Sequence, residues 1–220
     1  MTIRAEGDGS TSESPEPSVE RTGFPVVVSG PSGVGKTTIA RRLLALDRET
    51  AYSVSVTTRP PRRVEKDGID YEFVSDEEFD ELVEADALAE WAVVHGYRYG
   101  TRKSAIEETA SAGKDVVMDI DIQGGMSIKR CFPNAVLIFI LPPSEEVLEQ
   151  RLRGRATDDE GVIRTRLRNA IEELRWAPRY DYRVVNDDLD EAVGTVREIV
   201  EGERRDPNRR MPRGGFPCSQ

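Results

Sequence analysis

Residues 30–37 read Gly-Pro-Ser-Gly-Val-Gly-Lys-Thr, and no other stretch of the chain constrains the fold as tightly. Gly30, Gly35, Lys36 and Thr37 fill the fixed positions of a phosphate-binding loop, G-x-x-x-x-G-K-S/T. The glycines let the backbone curl until successive N–H groups face one anion. The lysine can reach the outer phosphates of a nucleotide, and the threonine hydroxyl can serve Mg²⁺. Such a loop works between a strand and a helix N-terminus, and both flanks comply. Phe24–Ser29 is a short apolar run of the kind buried in a parallel sheet. Beyond the loop, Ile39, Leu43, Leu44 and Leu46 recur at roughly helical spacing.

The same rhythm continues down the chain. Residues 116–120, 135–141 and 182–186 read as buried strands, the first ending in a carboxylate at Asp119. Helical periodicity lies between them, in Ile163, Leu167, Ala170, Ile171 and Leu174. Strands alternating with helices predict an α/β fold, a three-layer P-loop NTPase core with helices on both faces of a parallel sheet. Residues 54–102 interrupt that order with polar sequence and short strand-like pieces, as an insertion binding a second ligand would. Residues 1–22 and 204–220 are rich in Ser, Pro, Gly and charge, and predict two disordered tails, the second one basic.

Composition narrows the function classes. The 220 residues carry a formal net charge of −10, which argues against a broad nucleic-acid surface. One histidine, His95, and two cysteines, Cys131 and Cys218, far apart, announce neither a zinc cluster nor a disulfide framework. There is no apolar run of membrane-spanning length and no apolar leader, so the expected compartment is the cytosol, with no membrane partner.

The second ligand is announced by Ser55-Val56-Thr57-Thr58-Arg59-Pro60-Pro61-Arg62. Two guanidinium forks around rigid prolines suit a bidentate grip on phosphate. With this segment the chain resembles the guanylate kinase family. The resemblance rests on 30–37, 55–62, Asp67-Gly68 followed by Asp70-Tyr71, Glu90-Trp91-Ala92, Tyr99-Gly100-Thr101, Asp119-Ile120-Asp121, 151–155 and Val185-Asn186-Asp187-Asp188, in family order and spacing over about 24–200.

The resemblance implies an enzyme that phosphorylates GMP with ATP and Mg²⁺. Gly30, Pro31, Ser32, Gly33, Val34, Gly35, Lys36, Thr37 and Thr38 would hold ATP. Arg59, Arg62, Tyr71 and Tyr99 would hold the GMP phosphate, and Ser55, Glu90, Thr101 and Asp121 would read guanine. Lys36, Arg59, Arg151, Arg155 and Arg166 would supply catalytic charge, with a lid over about 145–175 closing on ATP. Arg151 and Arg155 share a helix face if the helix runs through Gly154. Thr37 and Asp119 are the candidate Mg²⁺ residues, Asp119 acting through water.

Taken singly, these residues have ordinary readings as well. Glu90 could be a strand-edge carboxylate and Thr101 a helix N-cap, while Asp119 and Asp121 are expected to face apart. Two positions depart from the family pattern. Ala156 stands where glycine follows the arginine, and Arg98 replaces an aromatic before Tyr99, either touching phosphate or lying in solvent. Two other functions compete: a catalytically silent interaction module of the same family, and a related sugar-bisphosphate kinase.

Overall fold

The structure is a computed structural model, which describes residues 21–94, 96–154 and 160–212. A five-stranded sheet forms its centre. The strands are β1 (Pro25–Ser29), β2 (Thr50–Tyr52), β7 (Asp115–Asp119), β8 (Val136–Leu141) and β9 (Tyr182–Val185), in spatial order β2-β7-β1-β8-β9. Every pairing among them is parallel. Successive side chains of a strand face opposite ways, and β1 uses both directions. Val26 and Val28 pack into one apolar cluster with α1 (Lys36–Leu46) and α7 (Leu189–Glu203), while Val27 packs into the other with α3 (Lys103–Ser111) and α4 (Ile122–Cys131). The result is the three-layer α/β core that the alternation predicts.

A second, four-stranded sheet stands beside the first. It holds β3 (Val56–Thr57), β4 (Glu72–Phe73), β5 (Leu88–Val94) and β6 (Tyr97–Arg102), in order β4-β3-β6-β5. Helix α2 (Asp76–Glu84) covers it and shares a small core of Val56, Phe79 and Leu88. Arg98 belongs to this unit. It pairs with Asp76 at 2.7 Å and Asp80 at 2.5 Å, and lies 4.7 Å over the Phe79 ring. It neither lies free in solvent nor faces the phosphate grip, and instead ties α2 to the β5–β6 hairpin.

Helices α5 (Glu145–Arg153) and α6 (Glu160–Leu174) pack together and place Leu148, Leu152 and Ala170 in the apolar cluster that holds Val26 and Val28. Gly154 caps α5, so the helix face expected to carry Arg151 onward to Arg155 stops there. Arg155, Ala156 and His95 lie outside the described residues.

The tail boundaries need correction at both ends. Arg21 pairs with Asp115, and the Thr22 hydroxyl donates to the Met211 carbonyl. At the other end Arg204 donates to Asp115 at 2.6 Å and Asp47 at 2.5 Å, Arg209 pairs with Glu203, and Met211 is buried. Asp115 is fully buried, and a buried carboxylate needs cationic partners. Residues 204–211 are thus part of the packed domain rather than a solvated tail. Among the described residues no helix is long and apolar enough to cross a membrane.

Candidate active site

The glycine loop joins β1 to α1 in the manner its sequence requires. Gly30, Gly33 and Gly35 have φ of +139°, +89° and +95°, where a side chain is strained. A Cβ on Gly30 would lie 2.4 Å from the Ile140 carbonyl oxygen. Gly35 precedes α1 and provides no side-chain cap, so the first N–H groups of the helix remain available to an anion. The Lys36 ammonium folds back on the loop, donating to the carbonyls of Gly30 at 2.6 Å and Pro31 at 2.9 Å. Val34 points into the core, whereas Ser32, Thr37 and Thr38 are exposed.

Asn186, at the end of β9, braces this loop. Its side-chain N–H₂ donates to the Val34 carbonyl at 2.7 Å, and its own carbonyl accepts from Arg151 at 2.9 Å. One residue therefore links the loop to α5. Arg166 is half-buried on α6. Glu173, further along α6, also faces the loop. Burial pushes its carboxyl up, and the Lys36 charge and the Ser32 N–H pull it back.

A pocket of about 700 Å³ opens between the two sheets. Ser55, Arg62, Tyr71, Glu90 and Tyr99 line it from the small sheet and its loops; Thr37, Asp119 and Asp121 line it from the large one. Asp119 and Asp121 share the cavity rather than facing apart, as residues two apart on extended backbone do. One oxygen of Asp121 caps α4 by accepting from Gly124 N–H at 2.7 Å.

Glu90 lines the pocket, and Thr101 sits opposite it on β6, buried behind the lining. The buried Thr101 hydroxyl donates to Glu90 at 2.6 Å, so it is not the cap of α3. Burial pushes the Glu90 carboxyl up to about 7, against the Thr101 hydrogen bond and with help from Asp121.

Arg59 lies just behind the lining. Its Nε donates to the Tyr99 hydroxyl at 3.1 Å, and its Nη2 meets both oxygens of Glu65 at 2.8 and 2.9 Å. Glu65 also accepts the Arg62 main-chain N–H at 2.7 Å. That bond, with Arg59, holds its carboxyl below the usual range. The Tyr71 and Tyr99 rings meet edge to face at 5.9 Å, with Arg59 5.3 Å above Tyr71.

At the other end, Asp119 accepts the Thr37 hydroxyl at 2.5 Å and the Tyr52 phenol at 2.5 Å. A carboxylate and an alcohol are hard oxygen donors suited to Mg²⁺. Among the described residues no group of three or more His, Cys, Asp or Glu could hold a metal. A cation here would share its shell with nucleotide phosphates and water, which is the habit of Mg²⁺.

The family model for guanylate kinase matches residues 22–203. The chain belongs to the guanylate kinase family. A guanylate kinase from Polaromonas sp. (strain JS666 / ATCC BAA-500) is 50% identical over 178 residues, covering 81% of this chain and 86% of its own. One from Anaeromyxobacter dehalogenans is 49% identical over 184 residues, 83% of this chain and 81% of its own. The crystal structure of guanylate kinase from Anaplasma phagocytophilum superposes with a TM-score of 0.68 at 34% identity, covering 86% of this chain and 90% of that one.

Three residues of this guanylate kinase fold hold other site residues in ways the sequence does not announce: Tyr52 and Glu65, which also line the pocket, and Asn186, which braces the loop. The polar residue in Val185-Asn186, where an apolar strand ends beside the loop, is the one signal that could have revealed any of them.

Proposed function

We propose that this chain transfers the γ-phosphoryl group of ATP to the phosphate of GMP or dGMP. A GMP phosphate oxygen attacks the γ-phosphorus, the bond to the ADP oxygen breaks, and GDP and ADP leave. The nucleophile is already anionic, so no general base is needed, and the protein's work is positioning and charge stabilisation.

The observation that carries this reading is one pocket with chemically different ends. Arg62, Tyr71 and Tyr99, with Arg59 behind them, form a phosphate grip. Glu90, Thr101, Ser55 and Asp121 form the base-reading end. Guanine presents N1–H and N2–H₂ donors that suit Glu90 and Asp121, and an O6 acceptor that suits a hydroxyl such as Ser55. Adenine reverses that edge and would leave a buried carboxylate mispaired, which discriminates strongly. The pocket opens on Thr37 and the loop that would hold ATP.

Lys36, Arg151 and Arg166 would gather round the transferring group, with Arg155 assigned from sequence alone. Mg²⁺ held beside Thr37 and Asp119 would neutralise phosphate charge. The small sheet, with its loops from about 54 to 102, and the lid of α5 and α6 would close over both nucleotides and exclude water.

An assay of ADP release over GMP, dGMP, AMP and ribose bisphosphate tests the reading. Turnover with GMP and dGMP is expected. A folded protein that turns over ribose bisphosphate but not GMP would be the sugar-bisphosphate kinase, and one that turns over none would be the silent module.

A further inference from the structure

Tyr52 has no part in the reaction as derived above, yet its phenol makes one of the two hydrogen bonds that Asp119 accepts. Tyr52 ends β2, the edge strand of the large sheet, and Asp119 ends the neighbouring β7. The two strands pair in parallel with Tyr52 opposite Val117, so the tyrosine reaches along the sheet to a residue two positions further on. The phenol donates to Oδ1 of Asp119 at 2.5 Å, while the Thr37 hydroxyl donates to Oδ2 at 2.5 Å.

We infer that Tyr52 is the positioning residue of the metal carboxylate. It fixes one oxygen of Asp119 and so turns the other toward Thr37, where the cation of the ATP complex belongs. This rests on the proposed roles of Thr37 and Asp119. A carboxylate at the end of a strand rotates freely about its last torsion. Among the described residues no lysine or arginine hydrogen-bonds Asp119, and its donors are two hydroxyls. Thr37 can turn its hydroxyl to offer a lone pair to the metal. The phenol is held on a strand and stays as the clamp. Removing such an outer partner of a metal ligand weakens metal binding by about 10–100-fold.

Tyr52 also lines the acceptor pocket, so a direct contact with GMP is the competing role, and the test separates the two. Mn²⁺ binding to the complex with a non-hydrolysable ATP analogue is followed by electron paramagnetic resonance for the wild type, Tyr52→Phe and Asp119→Asn. The Mg²⁺ dependence of turnover and the KM for GMP are measured alongside. Phenylalanine keeps the ring, and the side chain lies at a partly exposed sheet edge, so the fold should persist; a thermal melt checks this.

Tyr52→Phe is expected to weaken Mn²⁺ binding about tenfold or more, raise the half-saturating Mg²⁺ concentration to match, and leave the KM for GMP within about twofold. Unchanged Mn²⁺ binding in Tyr52→Phe, or a raised KM for GMP alone, overturns the proposal. If Asp119→Asn also leaves Mn²⁺ binding intact, the underlying assignment of Asp119 fails; if only Asp119→Asn loses it, the role of Tyr52 alone is rejected.

Discussion

The Thr101 hydroxyl donates to Oε1 of Glu90 at 2.6 Å across the β5–β6 pair, from behind the wall of the pocket that Glu90 lines. The bond orients a carboxylate whose pKa burial has raised from 4.5 to about 7. In its proposed role Glu90 must be ionised to accept guanine donors, and the free protein reaches that form only near neutrality. The kcat/KM for GMP should therefore fall about tenfold per pH unit below about 7. GMP binding at pH 6 should release a proton, seen by calorimetry in buffers of different ionisation enthalpy. Glu90→Gln should raise the KM for GMP about 10–100-fold while sparing that for ATP. An equal effect on both substrates would make Glu90 structural.

The same group links pH to stability. Between about 4.5 and 7 the folded protein holds a proton on Glu90 that the unfolded chain has lost. Its contribution to stability is therefore complete below about 4.5 and falls as pH rises through about 7. Glu90→Gln should flatten that part of the unfolding free energy, measured by denaturant titration at several pH values without nucleotide.

Arg59 offers its fork to Glu65 and its Nε to Tyr99. Arg59→Lys keeps the charge but cannot make this planar set of bonds. The KM for GMP should rise at least about tenfold with that for ATP unchanged, because only the acceptor grip is lost. Steady-state kinetics with each substrate varied checks this.

Arg204 and Arg21 both contact Asp115, whose carboxyl burial pushes up and these arginines hold down in part. Arg204→Ala leaves Asp115 buried with half its cationic support, and should cost about 3 kcal/mol of unfolding free energy. The double variant with Asp115→Asn should cost less than the sum of the two single changes. Additive effects in urea titration would mean the pair is not coupled.

Gly30→Ala should destabilise the protein by at least about 2 kcal/mol and abolish ATP binding. Its φ is +139°, and the new Cβ would meet the backbone carbonyl of Ile140. A melting temperature equal to wild type would show that the loop can relax away from β8.

The parts legible in the sequence are those with a physical mark there. Strands β1, β7 and β8 are covered on both faces, which demands near-continuous apolar runs, and those runs are visible; β9, at the sheet edge, exposes Arg183 and Val185 and buries only Val184 fully. Strands β3 and β4 have two residues each, too few for any period to show. Among site residues, the loop glycines and the paired arginines announce themselves by type and spacing. Tyr52 and Glu65 do not, because a residue that holds another side chain needs only reach. The C-terminal segment is illegible for a related reason. Its composition is that of a solvated tail, but Arg204 finds partners 157 and 89 positions away, a distance that local sequence does not encode.

Glu90 and Tyr99 stand on one sheet, Asp119 and Asp121 on or just beyond the other. In the proposed roles of these residues, a nucleotide spanning that gap would act as a strut, and the span it set would also be the separation of donor from acceptor. Guanine read by Glu90 and Asp121 would bridge the gap by itself, whereas inorganic phosphate held by Arg62, Tyr71 and Tyr99 would rest on the small sheet and its loops alone. The substrate would thus be a gauge as well as a reactant, its base helping to decide whether the two phosphates meet.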